Sequence, residues 1–428
     1  MTAAILFVLA LILGAFYPVN AQNQQYDEEI SALIARPEMQ AAFSLIEELD
    51  AESQGQLIEL TEIPAPPFME AERARHYAEM MREAGADSVY IDSVGNVIGL
   101  RKGTGGGRTV AMAGHMDTVF PEGTDVTVKF KGDTMYAPGI GDDTRALILL
   151  LTLLRAMNET GLRTESDLLF IGTVGEEGLG DLRGVKYLFR EEGPGIDSWI
   201  AVDGGSIGGI VHQGLGSHRY RVTFNGPGGH SWGAFGLGNP AHAMGRVVKI
   251  FDENAAEFVA EGPRTSYNVG RIGGGTSINS IPYSVWMEVD MRSESPERLN
   301  GIDAIFQSAI HQGLHEENVA RLRGDSLTVD IDMIGDRPSG TTPLNTPLLQ
   351  RASASARYFG EEPRLGISST DSNIPISLGV PGITIGRGGA GGGGHSLDEW
   401  WLNEDGHIAV QNALAIMVAE AGLAVVVP

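Results

Sequence analysis

Apolar and polar positions along this chain fall into blocks whose period changes, and the changes mark out the elements. Thr109–Ala113, Leu168–Val174 and Trp199–Val202 are short continuous apolar runs of the kind a parallel sheet buries on both faces. Between and before them, Ala71–Ala84, Arg145–Met157 and Leu182–Arg190 carry apolar residues at helical spacing. Val89–Ile91 and Val97–Leu100 predict two more short strands. Further upstream, Glu28–Gln54 reads as largely helical, Gln56–Glu62 continues after Gly55, and Ile63-Pro64-Ala65-Pro66-Pro67 enforces an extended turn. Strand and helix in alternation predict an α/β sandwich on a parallel or mixed sheet.

After His212 the period changes. Tyr220–Phe224, Val285–Met291 and Leu327–Met333 alternate like half-exposed strands, and Ser266–Ile272 is a further strand. Pro240–Asn254 and Pro296–Leu314 are helical. The order strand, helix, two strands, helix, strand is ferredoxin-like and predicts an inserted domain over residues 214–337. Leu348–Tyr358 (helix), Gly382–Ile385 (strand) and His407–Ala421 (helix) return to the first style. Residues 22–213 and 338–428 are therefore read as two parts of one α/β domain.

Composition narrows the chemistry. A chain of 428 residues, 42% of them hydrophobic, is long enough for two cores. The net charge of −25 and the lack of a basic stripe argue against nucleic-acid binding. With no cysteine, disulfides, thiolate metal sites and a cysteine nucleophile are excluded, so any metal must be held by His, Asp and Glu. The apolar run Ala3–Ala15 and Val19-Asn20-Ala21 before Gln22 predict a signal peptide over residues 1–21 and export to the periplasm or beyond. The n-region has no Lys or Arg, which leaves an uncleaved N-terminal membrane anchor as the alternative. No later segment is read as crossing a membrane.

The candidate chemistry lies where strands end. His115 and Asp117 follow Thr109–Ala113, Glu176 and Glu177 follow Leu168–Val174, Asp203 ends Trp199–Val202, and His395 lies on the loop after Gly382–Ile385. Asp142 and Asp143 precede the apolar helix at Arg145. Carboxyl ends of strands form the ligand crevice of an open α/β sheet, so these side chains are expected to meet there. Taken singly, each is ordinarily a cap, a turn residue or surface charge. Together, carboxylates and two histidines without a thiol suit zinc, cobalt or manganese. A serine hydrolase fits poorly, since no Gly-x-Ser-x-Gly stands between a strand and a helix.

Ala113-Gly114-His115-Met116-Asp117-Thr118-Val119, Gly139-Ile140-Gly141-Asp142-Asp143, Gly175-Glu176-Glu177-Gly178, Asp203 and Gly394-His395-Ser396, in this order, resemble the co-catalytic zinc exopeptidases. That family includes peptidase T, carboxypeptidase G, aminoacylase and acetylornithine deacetylase, and the peptidase T-like members are the closest in flavour. The resemblance spans about 28–424 and implies a zinc-exopeptidase-like α/β sandwich with an inserted ferredoxin-like lid or dimerisation domain. It implies two divalent metal ions, most often zinc, with His115 and Asp203 on one, Glu177 and His395 on the other, and Asp142 bridging. Asp117 would orient His115 by accepting its other ring N–H, and Glu176 would be the general base. Gly226-Pro227-Gly228-Gly229-His230-Ser231 resembles the segment whose histidine reaches the partner subunit's site, which implies a homodimer and a role for His230 in trans. Asn279, in Gly273–Pro282, and Arg292 resemble residues that grip the substrate's terminal carboxylate.

Two features depart from the family pattern. Thr144 stands where many relatives have Lys, which puts the role of that lysine in doubt here. Asp, not Glu, at position 203 is similar to the aminopeptidase and dipeptidase members. The expected activity is therefore metal-dependent exopeptidase cleavage of small peptides, with an aminopeptidase or dipeptidase preferred. An N-acyl amino acid deacylase or carboxypeptidase with the same machinery is the alternative. A non-catalytic binding protein on this fold is a distant third.

Overall fold

The computed structural model describes residues 19–105 and 107–424. The signal peptide expected over 1–21 lies outside the described residues save its last three. No helix among the described residues is long and apolar enough to cross a membrane.

The N-terminal helical stretch is broken where proline stands. Val19–Ile34 ends before Pro37, which opens Pro37–Glu48 from its first turn, and Asp50–Thr61 follows. Gly55, expected as a break, lies inside the last of these helices with open space around it. The three helices bury Ile30, Ile34, Met39, Ile46, Leu57 and Leu60 against the α/β core.

The main sheet runs in the order Ser88–Ile91, Val97–Arg101, Asp167–Thr173, Thr109–His115, Ser198–Gly204, Gly382–Gly386, Gly209–Gly214 and Gly340–Thr341. Arg364–Ser368 also pairs with Gly209–Gly214. The sheet is mixed, and its centre decides the function. Asp167–Thr173, Thr109–His115, Ser198–Gly204 and Gly382–Gly386 are successive parallel neighbours. Their carboxyl ends therefore open on one edge, and the helix Arg145–Glu159 packs against Thr109–His115 with nearly every side chain buried. The Ile63–Pro67 turn is tied to that edge: Arg73, fully buried, donates to the carbonyls of Ile63 and Met116 at 2.9 Å each.

The second sheet, in the order Thr265–Gly274, Ser284–Ser293, Gly216–Asn225 and Thr328–Arg337, is wholly antiparallel. Helices Pro240–Val259 and Pro296–Ala320 cover one face and share a core with Val222, Phe224, Met287 and Met291. Because strand side chains alternate, Trp286, Glu288, Asp290 and Arg292 occupy the opposite face with Arg219 and Arg221. This strand order with two helices on one face is ferredoxin-like. The helices run further than their sequence cores suggested, to Val259 and Ala320.

Candidate active site

At the carboxyl edge the side chains from the parallel strands converge. His115 comes from the last position of its strand and Asp203 from near the end of the neighbouring strand. Glu176 and Glu177 lie on the turn after Asp167–Thr173, and His395 lies nine residues beyond Gly386 on a glycine-rich loop. Ligand atoms of His115, Asp142, Asp143 and Asp203 lie within 4.8 Å of one another, as do those of Asp142, Glu177 and His395. Asp142 belongs to both groups. His115 Nε2 stands 3.2 Å from Asp142 Oδ1 and 4.0 Å from Asp203, whereas His395 Nε2 stands 2.7 Å from Glu177 Oε1 and 3.3 Å from Asp142 Oδ2.

The arrangement suits a cation. His115 Nδ1 lies 2.9 Å from the main-chain carbonyl of Asp117, which can only accept, so Nδ1 carries the proton. When the ring is neutral, this leaves the lone pair of Nε2 facing the Asp142 and Asp203 carboxylates, 3.2 and 4.0 Å away. Burial disfavours a charged His115 ring, yet Asp142, Asp143 and Asp203 hold its pKa well above the ordinary value. Burial in turn pushes the Asp203, Asp143 and Glu177 carboxyls up, and neighbouring acids add to the shift. Asp142 is buried too, but its hydrogen bonds to His115 and His395 hold it well below the usual carboxylate range. Carboxylates crowded with imidazole lone pairs, and no thiol, are the donor chemistry of zinc, cobalt or manganese. The residues present fit such ions.

The positions around this donor set modify the expected roles. The Asp117 carboxylate does not take the His115 ring N–H, since its Oδ1 is 3.8 Å from Nδ1 and the main-chain carbonyl accepts instead. Its two oxygens accept from the backbone N–H groups of Glu176 and Glu177, at 3.0 and 2.9 Å. Those amides have no strand partner at the turn, and a fully buried carboxylate satisfies both. Asp143 faces away from His395, with Oδ2 accepting from the His115 backbone N–H at 3.1 Å. Thr144 donates to the Gly139 carbonyl at 2.7 Å, and the cation beside the Asp pair is Arg387, whose Nη1 lies 3.4 Å from Asp143 and 3.6 Å from Asp203.

Three positions that contact the cluster went unread in the sequence. Arg387 directly follows the strand Gly382–Gly386, so the strand-end rule that finds Asp203 would have found it. Arg337 ends the last strand of the second sheet, and its Nη1 donates to Glu176 Oε1 at 3.2 Å. Burial pushes the Glu176 carboxyl up to about 8 against the opposing pull of Arg337. Glu399 accepts from the backbone N–H groups of Gly139, Gly141 and Asp142, each at 2.8 Å, and so holds the loop that presents Asp142. Only the fold brings these partners together. In Glu399→Gln the amide NH2 would face a backbone donor. Metal affinity, measured by competition with a chelating dye, is expected to fall roughly 10- to 100-fold.

The cluster opens into a cavity of about 480 Å³ lined by Glu176, Arg219, Arg292, Arg337 and Ser369 beside His115, Asp142, Glu177, Asp203 and His395. Arg292 is thus at the site. His230 and Asn279 are not: they lie on the exposed short pairing of Gly229–His230 with Ser280–Ile281, and neither lines this cavity.

The central parallel strands, the acidic edge and the adjoining α+β unit define the class, an α/β protein with the zinc-exopeptidase fold. Residues 111–418 match Peptidase family M20/M25/M40, and the chain belongs to that family. It is 27% identical over 249 residues to a succinyl-diaminopimelate desuccinylase of Corynebacterium glutamicum, covering 56% of this chain and 66% of that one. It is 28% identical over 229 residues to carboxypeptidase G2 of a Pseudomonas species, covering 53% of each. These matches span about half to two-thirds of the relatives' length. Aminopeptidase PepT of Bacillus cereus shares the fold at a TM-score of 0.68 and 22% identity, over 86% of this chain and 97% of that one. The di-peptidase Dug1p of Saccharomyces cerevisiae does so at 0.69 and 14%, over 90% and 98%.

Proposed function

We propose that this protein is a two-metal exopeptidase, an aminopeptidase or dipeptidase acting on small peptides, with zinc as the metal. The observation that carries this reading is Asp142 shared between two donor groups, with Glu176 buried beside them at the cavity wall. His115 and Asp203 would hold one ion, Glu177 and His395 the other, and Asp142 both. When bound, such ions would supply Lewis acidity toward the scissile carbonyl and a water of lowered pKa.

The chain's own residues account for the rest. Glu176 takes the proton of the attacking water on its carboxylate and returns it to the departing amine nitrogen. Arg337 holds one of its oxygens, Oε1, so the carboxylate keeps a fixed direction while the proton moves. Asp117 fixes the backbone of both glutamates from behind. Arg292 binds the substrate's carboxylate and orients the scissile bond.

The deciding experiment uses protein beginning at Gln22, stripped of metal and then supplied with zinc, cobalt or manganese. One tripeptide is offered free and N-acetylated, and the products are identified by mass. Release of the N-terminal residue from the free peptide alone is the expected result. Cleavage of the acetylated form alone would move the protein to a deacylase or carboxypeptidase activity, a reading favoured by its likeness to the desuccinylase and carboxypeptidase G2.

The reading extends to a homodimer in which His230 acts on the partner's site. Its support is that His230 is exposed and absent from its own cavity, among the exposed side chains Trp232, Phe235, Ile278 and Tyr283. Mixing inactive His230→Ala and Glu176→Ala dimers is expected to restore part of the activity once subunits exchange. No recovery after proven exchange would leave His230 without that role.

A further inference from the structure

The sheet of the inserted unit is interrupted twice at one level. In Thr265–Gly274, Gly270 is an extra residue between the pairs Val269–Val289 and Arg271–Glu288. In Thr328–Arg337, Ile334 is an extra residue between Met333–Tyr220 and Gly335–Arg219. Val289 and Tyr220 are themselves partners, so the two bulges stand in one row, one in each outer strand. A bulge takes one residue out of the ladder and bends its strand. Here it leaves a hollow across the sheet, in which Gly270 adds no side chain and half-buried Ile334 forms part of the wall.

The catalytic domain supplies the facing wall. Leu179, 57% exposed, follows Gly178 on the turn that carries Glu176 and Glu177, and it borders the same hollow, which measures about 270 Å³. Gly178 and Arg219 line both this space and the catalytic cavity, so the hollow is an annex of the cavity. The charges in its wall are already spent on one another. Arg271 and Arg221 each donate to Glu288 at 2.8 Å, and Arg219 donates to Asp290 at 2.9 Å. Matched charges leave the apolar surface of Leu179 and Ile334 as what the annex offers a ligand. An exposed leucine facing a hollow beside a cavity gains by being covered, and an apolar group covers it best.

We propose that Leu179 and Ile334 are specificity-determining residues, whose annex takes an apolar side chain at the carboxyl-terminal residue of the substrate. This rests on the exopeptidase reading and deepens it. The substrate class is a small peptide ending in a branched aliphatic or aromatic residue. The two walls come from different domains, so a side chain seated between them also ties the inserted sheet to the turn of Glu176 and Glu177.

The test uses the metal-loaded full chain and two tripeptides differing only in the last residue, Ala-Ala-Leu and Ala-Ala-Gly. The wild type is expected to prefer the leucine peptide in kcat/KM roughly 10- to 100-fold, the worth of one buried apolar side chain. Leu179→Ser and Ile334→Ser should each cut that preference about 3- to 10-fold. Gly270→Leu fills the annex instead and should raise KM for the leucine peptide alone, by about tenfold. Its backbone is not left-handed, and a new Cβ meets only the Asn268 amide, at 3.2 Å, so this variant carries the test if a serine variant does not fold. Equal losses on both peptides in the folded variants would show a structural role and overturn the annex. Calorimetric binding of both peptides to Glu176→Gln protein separates the two readings. A leucine preference in binding that Gly270→Leu removes, without cleavage by the wild type, would keep the annex and end the exopeptidase reading. Cleavage without a leucine preference would do the reverse, and no leucine preference in either assay overturns the annex.

Discussion

Glu176→Gln is expected to keep its fold and its metal ions and to lose about 10²- to 10⁴-fold in kcat, the usual worth of a positioned general base. The substitution is nearly isosteric. The glutamine oxygen still accepts from Arg337, and the backbone N–H still donates to Asp117, so the turn that carries Glu177 keeps its shape. What disappears is the basic oxygen. Glu176 is 4% exposed, and burial already moves its carboxyl up to about 8, which makes it a willing proton acceptor. An amide cannot hold a proton in transit at any pH near neutral. The measurement is kcat alongside metal content per chain, determined by atomic spectroscopy on the same sample. Metal content equal to the wild type with kcat reduced a hundredfold or more is the expected pair of values. Undiminished kcat with metal in place would remove Glu176 from the reaction and leave the metal assignment standing.

The sheet was readable because its central strands are buried on both faces, so they appear as unbroken apolar runs followed abruptly by acids and histidines. Thr109–His115 and Asp167–Thr173 differ from the predicted spans by one or two residues at their ends. What resisted reading had weak local signal. Lys129–Lys131 and Thr134–Tyr136 are too short to show alternation, and in Gly209–Gly214 every position but Ile210 is only partly buried or glycine. The N-terminal helices show the opposite error, in which a helical pattern ran through Pro37 although proline restarts a helix. In the site, residues that reach the cluster from strand ends were legible. Residues that act through partners far along the chain were not. Glu399 holds Gly139 across 260 positions and Arg337 holds Glu176 across 161. Asp117 was placed at the right spot with the wrong atom, because sequence names the side chain and cannot show that its neighbouring carbonyl is better aimed at His115.

Asp142→Asn is expected to abolish metal binding as a pair, and the reason is its double membership. It belongs both to the group of His115, Asp143 and Asp203 and to the group of Glu177 and His395, with Oδ1 toward His115 and Oδ2 toward His395. An asparagine offers one carbonyl oxygen and turns an NH2 toward the second group, where it repels a cation. Asp203→Asn removes a donor from the His115 side alone, which leaves Asp142, Glu177 and His395 intact as a set. The two variants should therefore separate by stoichiometry after dialysis against zinc. The first is expected to hold less than one ion per chain and the second about one, against about two for the wild type. Thermal unfolding gives a second readout. Added zinc at a hundredfold excess over its dissociation constant stabilises a binding fold by about 2.7 kcal/mol per site. That gain should be nearly absent in Asp142→Asn and partial in Asp203→Asn. Equal ion counts in the two variants would mean that Asp142 serves one ion only, and the shared-carboxylate arrangement would have to be given up.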